Sequence, residues 1–175
     1  KILFNTGRLS HLAGNILLLS KIEHQAIQTR QNWYRLDEQI RQSIVMLEPK
    51  WSEKELEFDV DMVDVEYLGN ENLICHVWDN LLSNAIKFSP CGGTIYIRMM
   101  PEGEKIRFSI ENEGPQIRED SMKHIFDKFY QCDSSHKQEG NGLGLALVKQ
   151  ILNRYMGTVS VENIPGSGCR FTVIL

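Results

Sequence analysis

Asn80, Asn84 and Lys87 recur at i, i+4 and i+7 within a predicted helix over residues 70–88, which sets all three on one face. Asn side chains offer neutral oxygen ligands to a hard cation, and Lys offers a point charge to phosphate. A solvated polar face accounts for the same triplet, so these residues alone leave both readings open. A second segment, residues 140–145 (GNGLGL), stands directly before another predicted helix. Closely spaced glycines let the backbone approach an anion, and the helix start adds free N–H groups and a positive dipole end. This is not a dinucleotide fingerprint, because the glycines follow no strand in a βαβ unit and no acidic residue stands about 20 positions on. A Gly-x-x-x-x-Gly-Lys-Ser/Thr phosphate loop is absent from the sequence. Two further segments are residues 111–117 (ENEGPQI), at a predicted strand end, and residues 125–130 (IFDKFY), an aromatic cluster beside a polar loop. Singly these read as a turn and a core plug; the order and spacing of all four segments is what is specific.

Together the four segments resemble the N, G1, F and G2 boxes of the sensor histidine kinase ATP-binding domain, a member of the GHKL ATPase superfamily. Residues 80–88 (NLLSNAIKF) are similar to the N box, and residues 140–145 to the G2 box. The resemblance covers nearly the whole chain, since residues 8–23 resemble the end of the second helix of the family's dimerisation and phosphotransfer domain. It implies ATP and Mg²⁺ as cofactors, with Asn84 as Mg²⁺ ligand, Asn80 beside the phosphates and Lys87 at their β/γ end. It places Phe88 in the adenine pocket wall, Asn112 opposite the adenine amino group, and Gly114 and Ile117 against the base. Phe126, Phe129 and Tyr130 would anchor the ATP lid, the polar loop up to Gly140. Gly140, Gly142, Leu143, Gly144 and Leu145 would cradle the phosphates.

Three positions depart from the family pattern. Asn112 stands where the family has Asp, Gln116 where it has a second Gly, and Gln131 where a phosphate-binding Arg is common. An Asn oxygen accepts a hydrogen bond without charge, and charged acceptors bind roughly twice as strongly. Superfamily members that hydrolyse ATP use a Glu at the position of Asn80 to activate water. An amide cannot serve as a general base near neutral pH. The chain is therefore expected to be a poor hydrolase, suited to passing a phosphoryl group to a nucleophile from elsewhere by positioning and charge stabilisation.

That nucleophile is not expected in this chain. The family's phosphoacceptor His is followed by an acidic residue, whereas His11, His24, His76, His124 and His136 precede Leu, Gln, Val, Ile and Lys. His76, four residues before Asn80, sits either at the mouth of the site or as a half-exposed surface group, and His136 lies in the lid. The resemblance thus implies a protein-histidine kinase fragment: the γ-phosphoryl of ATP goes to a histidine outside the chain, then to a response regulator. The alternative is a degenerate nucleotide-binding regulatory module, acting through phosphatase or partner control. Implied partners are the phosphoacceptor domain of the same protein, a response regulator and a second copy through the N-terminal helix. The implied location is the cytoplasmic portion of a membrane-bound sensor, with no membrane contact by this fragment.

The elements that must position these residues follow from periodicity. Residues 1–28 read as one long helix: Ile2, Leu9 and Ile16 are seven apart, as are Leu12 and Leu19, the spacing of a supercoiled seam. Packing with a partner helix is expected, with docking on its own domain as the alternative. A short strand over 33–36, Asp37 as N-cap of a helix over 38–47, and Pro49 as its stop come next. Strands are predicted at 56–60 and 65–68, then the helix opened by Asn70, a hairpin pairing 95–99 with 106–110, a short helix near 121–126, a helix over 143–155, and strands at 158–162 and 169–175. The expected fold is α+β: a two-layer sandwich of the GHKL (Bergerat) ATPase type, with a mixed sheet, helices on one face and a long N-terminal helix. Residues 1–28 would belong to the dimerisation helix and 29–175 to the catalytic domain.

Composition excludes other classes. The 175 residues carry 19 Lys+Arg and 23 Asp+Glu, a net charge of −4, without the basic footprint that nucleic acid demands. The longest apolar run near the N-terminus, residues 16–19, is far below the roughly 20 residues of a membrane span. No signal peptide is evident, and the missing initiator Met suggests a piece of a longer protein. Cys75, Cys91, Cys132 and Cys169 have neither metal-knuckle nor redox-pair spacing, so reduced thiols and no His/Cys metal site are expected.

Overall fold

The computed structural model describes residues 2–24, 30–132 and 140–175, with side chains from residue 12 onward. The elements in chain order are α1 (Ile2–Glu23), β1 (Asn32–Arg35), α2 (Leu36–Met46), α3 (Glu48–Glu53), β2 (Glu57–Met62), β3 (Glu66–Gly69) and α4 (Glu71–Phe88). They continue with β4 (Thr94–Glu102), β5 (Lys105–Glu113), α5 (Glu119–Met122), α6 (Gly144–Arg154), β6 (Thr158–Asn163) and β7 (Gly168–Ile174). The C-terminal end expected for the first helix, the centre of the lid with His136, and the side chain of His11 lie outside the described residues.

The main sheet has the order β2-β4-β5-β7-β6, parallel at β2–β4 and antiparallel elsewhere, which makes it mixed as expected. Strand alternation gives it two different faces. Ile95, Ile97, Met99, Phe108, Ile110, Phe171 and Val173 are buried under the helices. The other face carries charge pairs, among them Arg98 with Asp59 at 3.0 Å and Arg170 with Glu111 at 2.7 Å. β1 and β3 form a separate two-stranded antiparallel sheet. Nothing in two isolated four-residue patterns announces that pairing, because the partners are 30 residues or more apart.

α4 forms the centre of the helical layer. Leu73, Val77, Leu81 and Ala85 are buried at i, i+4, i+8 and i+12, with Ile74, Trp78 and Leu82 beside them. Trp78 packs against Phe108 with ring centroids 4.8 Å apart. Its indole N–H donates to Gln39 Oε1 at 2.9 Å, and Gln39 Nε2 donates to the Glu71 carbonyl at 2.7 Å. This buried network satisfies each polar group it uses and pins α2 to α4.

One boundary expectation is corrected and another is extended. Asp37 is not the cap of α2 but lies in its first turn, because β1 runs straight into the helix and Leu36, fully buried, already belongs to it. The Asp37 side chain, 2% exposed, instead accepts from Arg35 at 2.8 and 2.6 Å and from the Val65 N–H at 3.2 Å. Pro49 does not merely end α2. It opens α3 near its first position, where a missing N–H costs no helical hydrogen bond.

Arg35, hydrogen-bonded to Asp37, holds that carboxyl at about 2, below its usual 3.8. A depressed carboxylate pKa contributes stability above the unfolded value, and that contribution disappears as pH falls through the folded value. About 1–2 kcal/mol is therefore expected to vanish between pH 4 and pH 2, the half-exposed Arg35 limiting its size. Urea unfolding across that window should show a shallower pH dependence for Asp37→Asn than for the unchanged chain.

α1 docks on its own domain through its second half. Leu19 and Ile22 are buried in the common core beside α6, and Lys128 forms a salt bridge with Glu23. Ile16 and Leu17 remain exposed, so the apolar stripe is only partly covered. No described helix is long and apolar enough to cross a membrane.

Candidate nucleotide site

The site is built on the exposed flank of α4. Asn70 caps the helix as expected, its side chain accepting from the Leu73 N–H at 2.8 Å. Asn80, Asn84, Lys87 and Phe88 are all half-buried on the flank left by the core stripe. Asn80 Nδ2 donates to the His76 carbonyl at 2.6 Å, which aims its Oδ1 away from the helix axis. That oxygen lies 2.5 Å from where a Cβ on Gly144 would stand, so the first residue of α6 abuts Asn80. About two turns further along the same face, Lys87 Nζ sits over the Phe88 ring at 4.6 Å and 3.4 Å from the Cβ position of Gly140. Two segments more than fifty residues apart thus meet, with the start of α6 facing a carboxamide and the glycine segment before it facing an ammonium. The Asn84 carboxamide has no hydrogen-bond partner among the described residues.

The end of β5 forms the second wall. Asn112 is 2% exposed, its Nδ2 donating to the Glu113 carbonyl at 3.0 Å and its Oδ1 facing Cys169 Sγ at 3.5 Å. Burial, then Glu111, pushes the Cys169 thiol up to about 11, so it is a neutral packing group at physiological pH. Gly114 has φ +148°, and a Cβ there would lie 2.4 Å from the Phe88 carbonyl oxygen. Only glycine allows the strand end and the α4 end to approach this closely.

The third wall joins residues 126–130 to residues 140–145. The Phe129 N–H donates to the Gly142 carbonyl at 2.8 Å, with Phe129 at φ +64° and Gly142 at φ +68°. Phe126 packs edge-on against Phe171, Tyr130 lies against the core, and Phe129 is 62% exposed. Leu143 is buried and Leu145 partly so, holding the start of α6 down. Gln131 Nε2 donates to the Gly140 carbonyl at 3.1 Å and so ties together the two ends of the loop expected to be a lid.

Sequence reasoning missed three supports. Lys54 Nζ donates to the carbonyls of Ile86, Lys87 and Ser89 at 2.9, 2.8 and 2.8 Å, capping α4 where the site residues end. A cation there also complements the negative end of the helix dipole. Lys54→Met is expected to cost about 2 kcal/mol, since hydrogen bonds to a charged group are worth about 1.5–3 kcal/mol, measured by urea unfolding. Asn163 accepts from the Ile117 N–H and donates to the Ile117 carbonyl, both at 2.8 Å. Gln116 turns outward and donates to the Ile164 carbonyl at 3.0 Å. Each pairing spans more than thirty residues, and no local pattern signals it. A cavity of about 360 Å³ on the charged outer face of the sheet, lined by Tyr96, Arg98 and Arg170 among others, is remote from this constellation.

Residues 69–175 match the family described as histidine kinase-, DNA gyrase B- and HSP90-like ATPase, and the chain belongs to it. Membership in this ATPase family makes ATP its ligand. Heme sensor protein HssS of Staphylococcus saprophyticus is 32% identical over 168 residues, covering 96% of this chain and 36% of that protein. Circadian input-output histidine kinase CikA of Synechococcus elongatus is 33% identical over 183 residues, covering 99% and 24%. Among solved structures, Acinetobacter baumannii histidine kinase AdeS superimposes with a TM-score of 0.83 at 26% identity, over 99% of this chain and 80% of that one. Full-length ShkA in complex with AMPPNP gives 0.84 at 26%, over 97% and 36%. The α+β mixed-sheet fold is thus that of histidine kinase catalytic domains, and the chain spans about a third or less of the curated relatives' length.

Proposed function

We propose that this chain is the ATP-binding catalytic part of a sensor protein-histidine kinase, transferring the γ-phosphoryl of ATP to a histidine outside it for relay to a response regulator. The observation that carries the reading is the convergence of Asn80 and Lys87 on the glycine-rich segment that leads into α6, which sets a carboxamide against Gly144 and an ammonium beside Gly140. Such an arrangement suits a polyphosphate. The ShkA structure, in complex with AMPPNP, supports the same ligand class.

The residues present fit Mg²⁺. Asn84 offers a neutral oxygen without a partner among the described residues, and a Mg²⁺ ion held by one or two protein oxygens takes its other ligands from phosphates and water. When bound, Mg²⁺ would neutralise phosphate charge. Lys87 would hold the β/γ end, Gly140, Gly142 and Gly144 would let the backbone amides reach the phosphates, and Leu143 and Leu145 would seat the helix start. Phe88, Asn112, Gly114 and Ile117 would receive adenine. Phe126, Phe129 and Tyr130 would anchor the lid. Asn80 would orient a phosphate and cannot deprotonate water, which favours transfer over hydrolysis.

In the same reading, residues 1–28 are part of the dimerisation and phosphotransfer helix, and 29–175 the catalytic domain. The exposed Ile16 and Leu17 support a second copy of the chain against α1 in the full-length protein. The whole protein would be a membrane-bound sensor carrying this part in the cytoplasm.

Titration of the chain with Mg²⁺·AMPPNP tests the binding half, and γ-labelled ATP with the full-length parent tests the transfer half. Binding together with acid-labile phosphate on the parent, and none on the 175-residue chain alone, is expected. Absence of binding at millimolar nucleotide overturns the kinase reading, and binding without transfer by the parent selects the degenerate regulatory module.

A further inference from the structure

On the first half of α4, one turn before Asn80, Cys75, His76 and Asp79 place one ligand atom each within 4.8 Å of one another. All three are half-buried, so each is reachable from solvent yet restricted in rotamer. Their spacing explains the cluster: Cys75 and Asp79 are i and i+4, His76 and Asp79 are i and i+3, and both spacings share a helix face. The proposed nucleotide site assigns no ligand role to these three side chains, and no Cys/His spacing of a metal knuckle announces them in the sequence.

The geometry points to a second metal site here: Cys75 Sγ, a ring nitrogen of His76 and a carboxylate oxygen of Asp79 holding one zinc-class divalent ion, with water in the fourth position. A thiolate and an imidazole select a borderline-soft ion over Mg²⁺ or Ca²⁺, which prefer oxygen. Three protein ligands plus one open position form a recurrent zinc arrangement. Zinc bond lengths require ligand atoms roughly 3.5 Å apart, so small rotamer changes from the present separations close the shell. Cys75 Sγ now donates to the Asn72 carbonyl at 3.1 Å, a weak bond that the ion replaces. Binding forms a metal–sulfur bond and releases the thiol proton to solvent. The site differs from the proposed Mg²⁺ position in ligand chemistry, and it stands whether or not the chain is an active kinase. An ion held there also braces the turn whose His76 carbonyl receives the Asn80 side chain.

The test is Co²⁺ titration of the 175-residue chain without nucleotide, followed by displacement with Zn²⁺. One equivalent should give a sulfur-to-cobalt charge-transfer band and the intense visible bands of a tetrahedral site. Because Cys91 and Cys132 are exposed thiols, the Cys91→Ser/Cys132→Ser double variant must keep the signal and Cys75→Ser must lose it. His76→Gln and Asp79→Asn should each weaken binding at least about tenfold. In the unsubstituted chain, Zn²⁺ should slow alkylation of Cys75 and leave Cys91 and Cys132 unaffected, a readout that needs no variant to fold. Absence of the thiolate band, a band that follows Cys91 or Cys132, unchanged affinity in either ligand variant, or an alkylation rate at Cys75 indifferent to Zn²⁺ overturns the site.

Discussion

Asn84→Ala is expected to weaken Mg²⁺-dependent nucleotide binding on the order of a hundredfold, about 2.7 kcal/mol, while leaving the fold intact. Asn84 is half-buried on the open flank of α4 and carries none of the core stripe, so its removal opens no cavity. Alanine also favours the helix. Mg²⁺ demands near-octahedral oxygen geometry and dehydrates reluctantly, so losing its protein ligand leaves the ion attached through phosphate alone. Calorimetric titration of AMPPNP with and without Mg²⁺ separates this from a general loss of the pocket. The residual metal-free affinity should be the same in both proteins. An unchanged Mg²⁺-dependent affinity would remove Asn84 from the ligand set.

Gly114→Ala should be the most damaging single-methyl change at the site. The added carbon would stand 2.4 Å from the Phe88 carbonyl oxygen, a backbone atom that cannot swing aside, and φ +148° is itself unfavourable for alanine. A cost of about 2–4 kcal/mol is expected, combining backbone strain with separation of the β5 end from the α4 end. Because Phe88 and Asn112 face the same gap, nucleotide affinity should fall at least about tenfold even under conditions where the variant remains folded. Gly103→Ala is the matched control. Gly103 also has positive φ, +66°, but a Cβ there meets nothing within 4 Å. It should cost about 1 kcal/mol and leave nucleotide binding untouched. Equal effects of the two substitutions in urea unfolding and in AMPPNP titration would show that the close approach at Gly114 is not what shapes the pocket.

The elements that were legible in the sequence share one property: their signal is periodic and local. The helix opened by Asn70 shows its cap, its buried stripe of Leu73, Val77, Leu81 and Ala85, and its polar flank within the single stretch 70–88. The hairpin of β4 and β5 is equally plain, since alternation and the Gly103 turn lie within one short stretch. The role of Asp37, and the second role of Pro49 at the start of α3, are not legible locally because these residue types permit several helix-terminal roles. The burial of Leu36 and the Val65 N–H, 28 residues away, decide the role of Asp37.

For this protein, then, residue order alone determined the family, the mixed-sheet α+β class and the candidate site residues. Each of these depends on spacing along the chain, which folding cannot alter. The tertiary structure decided what lies across from them: Gly144 against Asn80, Gly140 beside Lys87, Lys54 under the end of α4, Asn163 holding Ile117, and α1 docked beside α6. Those pairings join residues about thirty or more positions apart, and only a packed core can set such distances. The ligand atoms of Cys75, His76 and Asp79 came together for a related reason. Their spacing was always visible, but only half-burial on a fixed helix turns three adjacent polar side chains into a cluster.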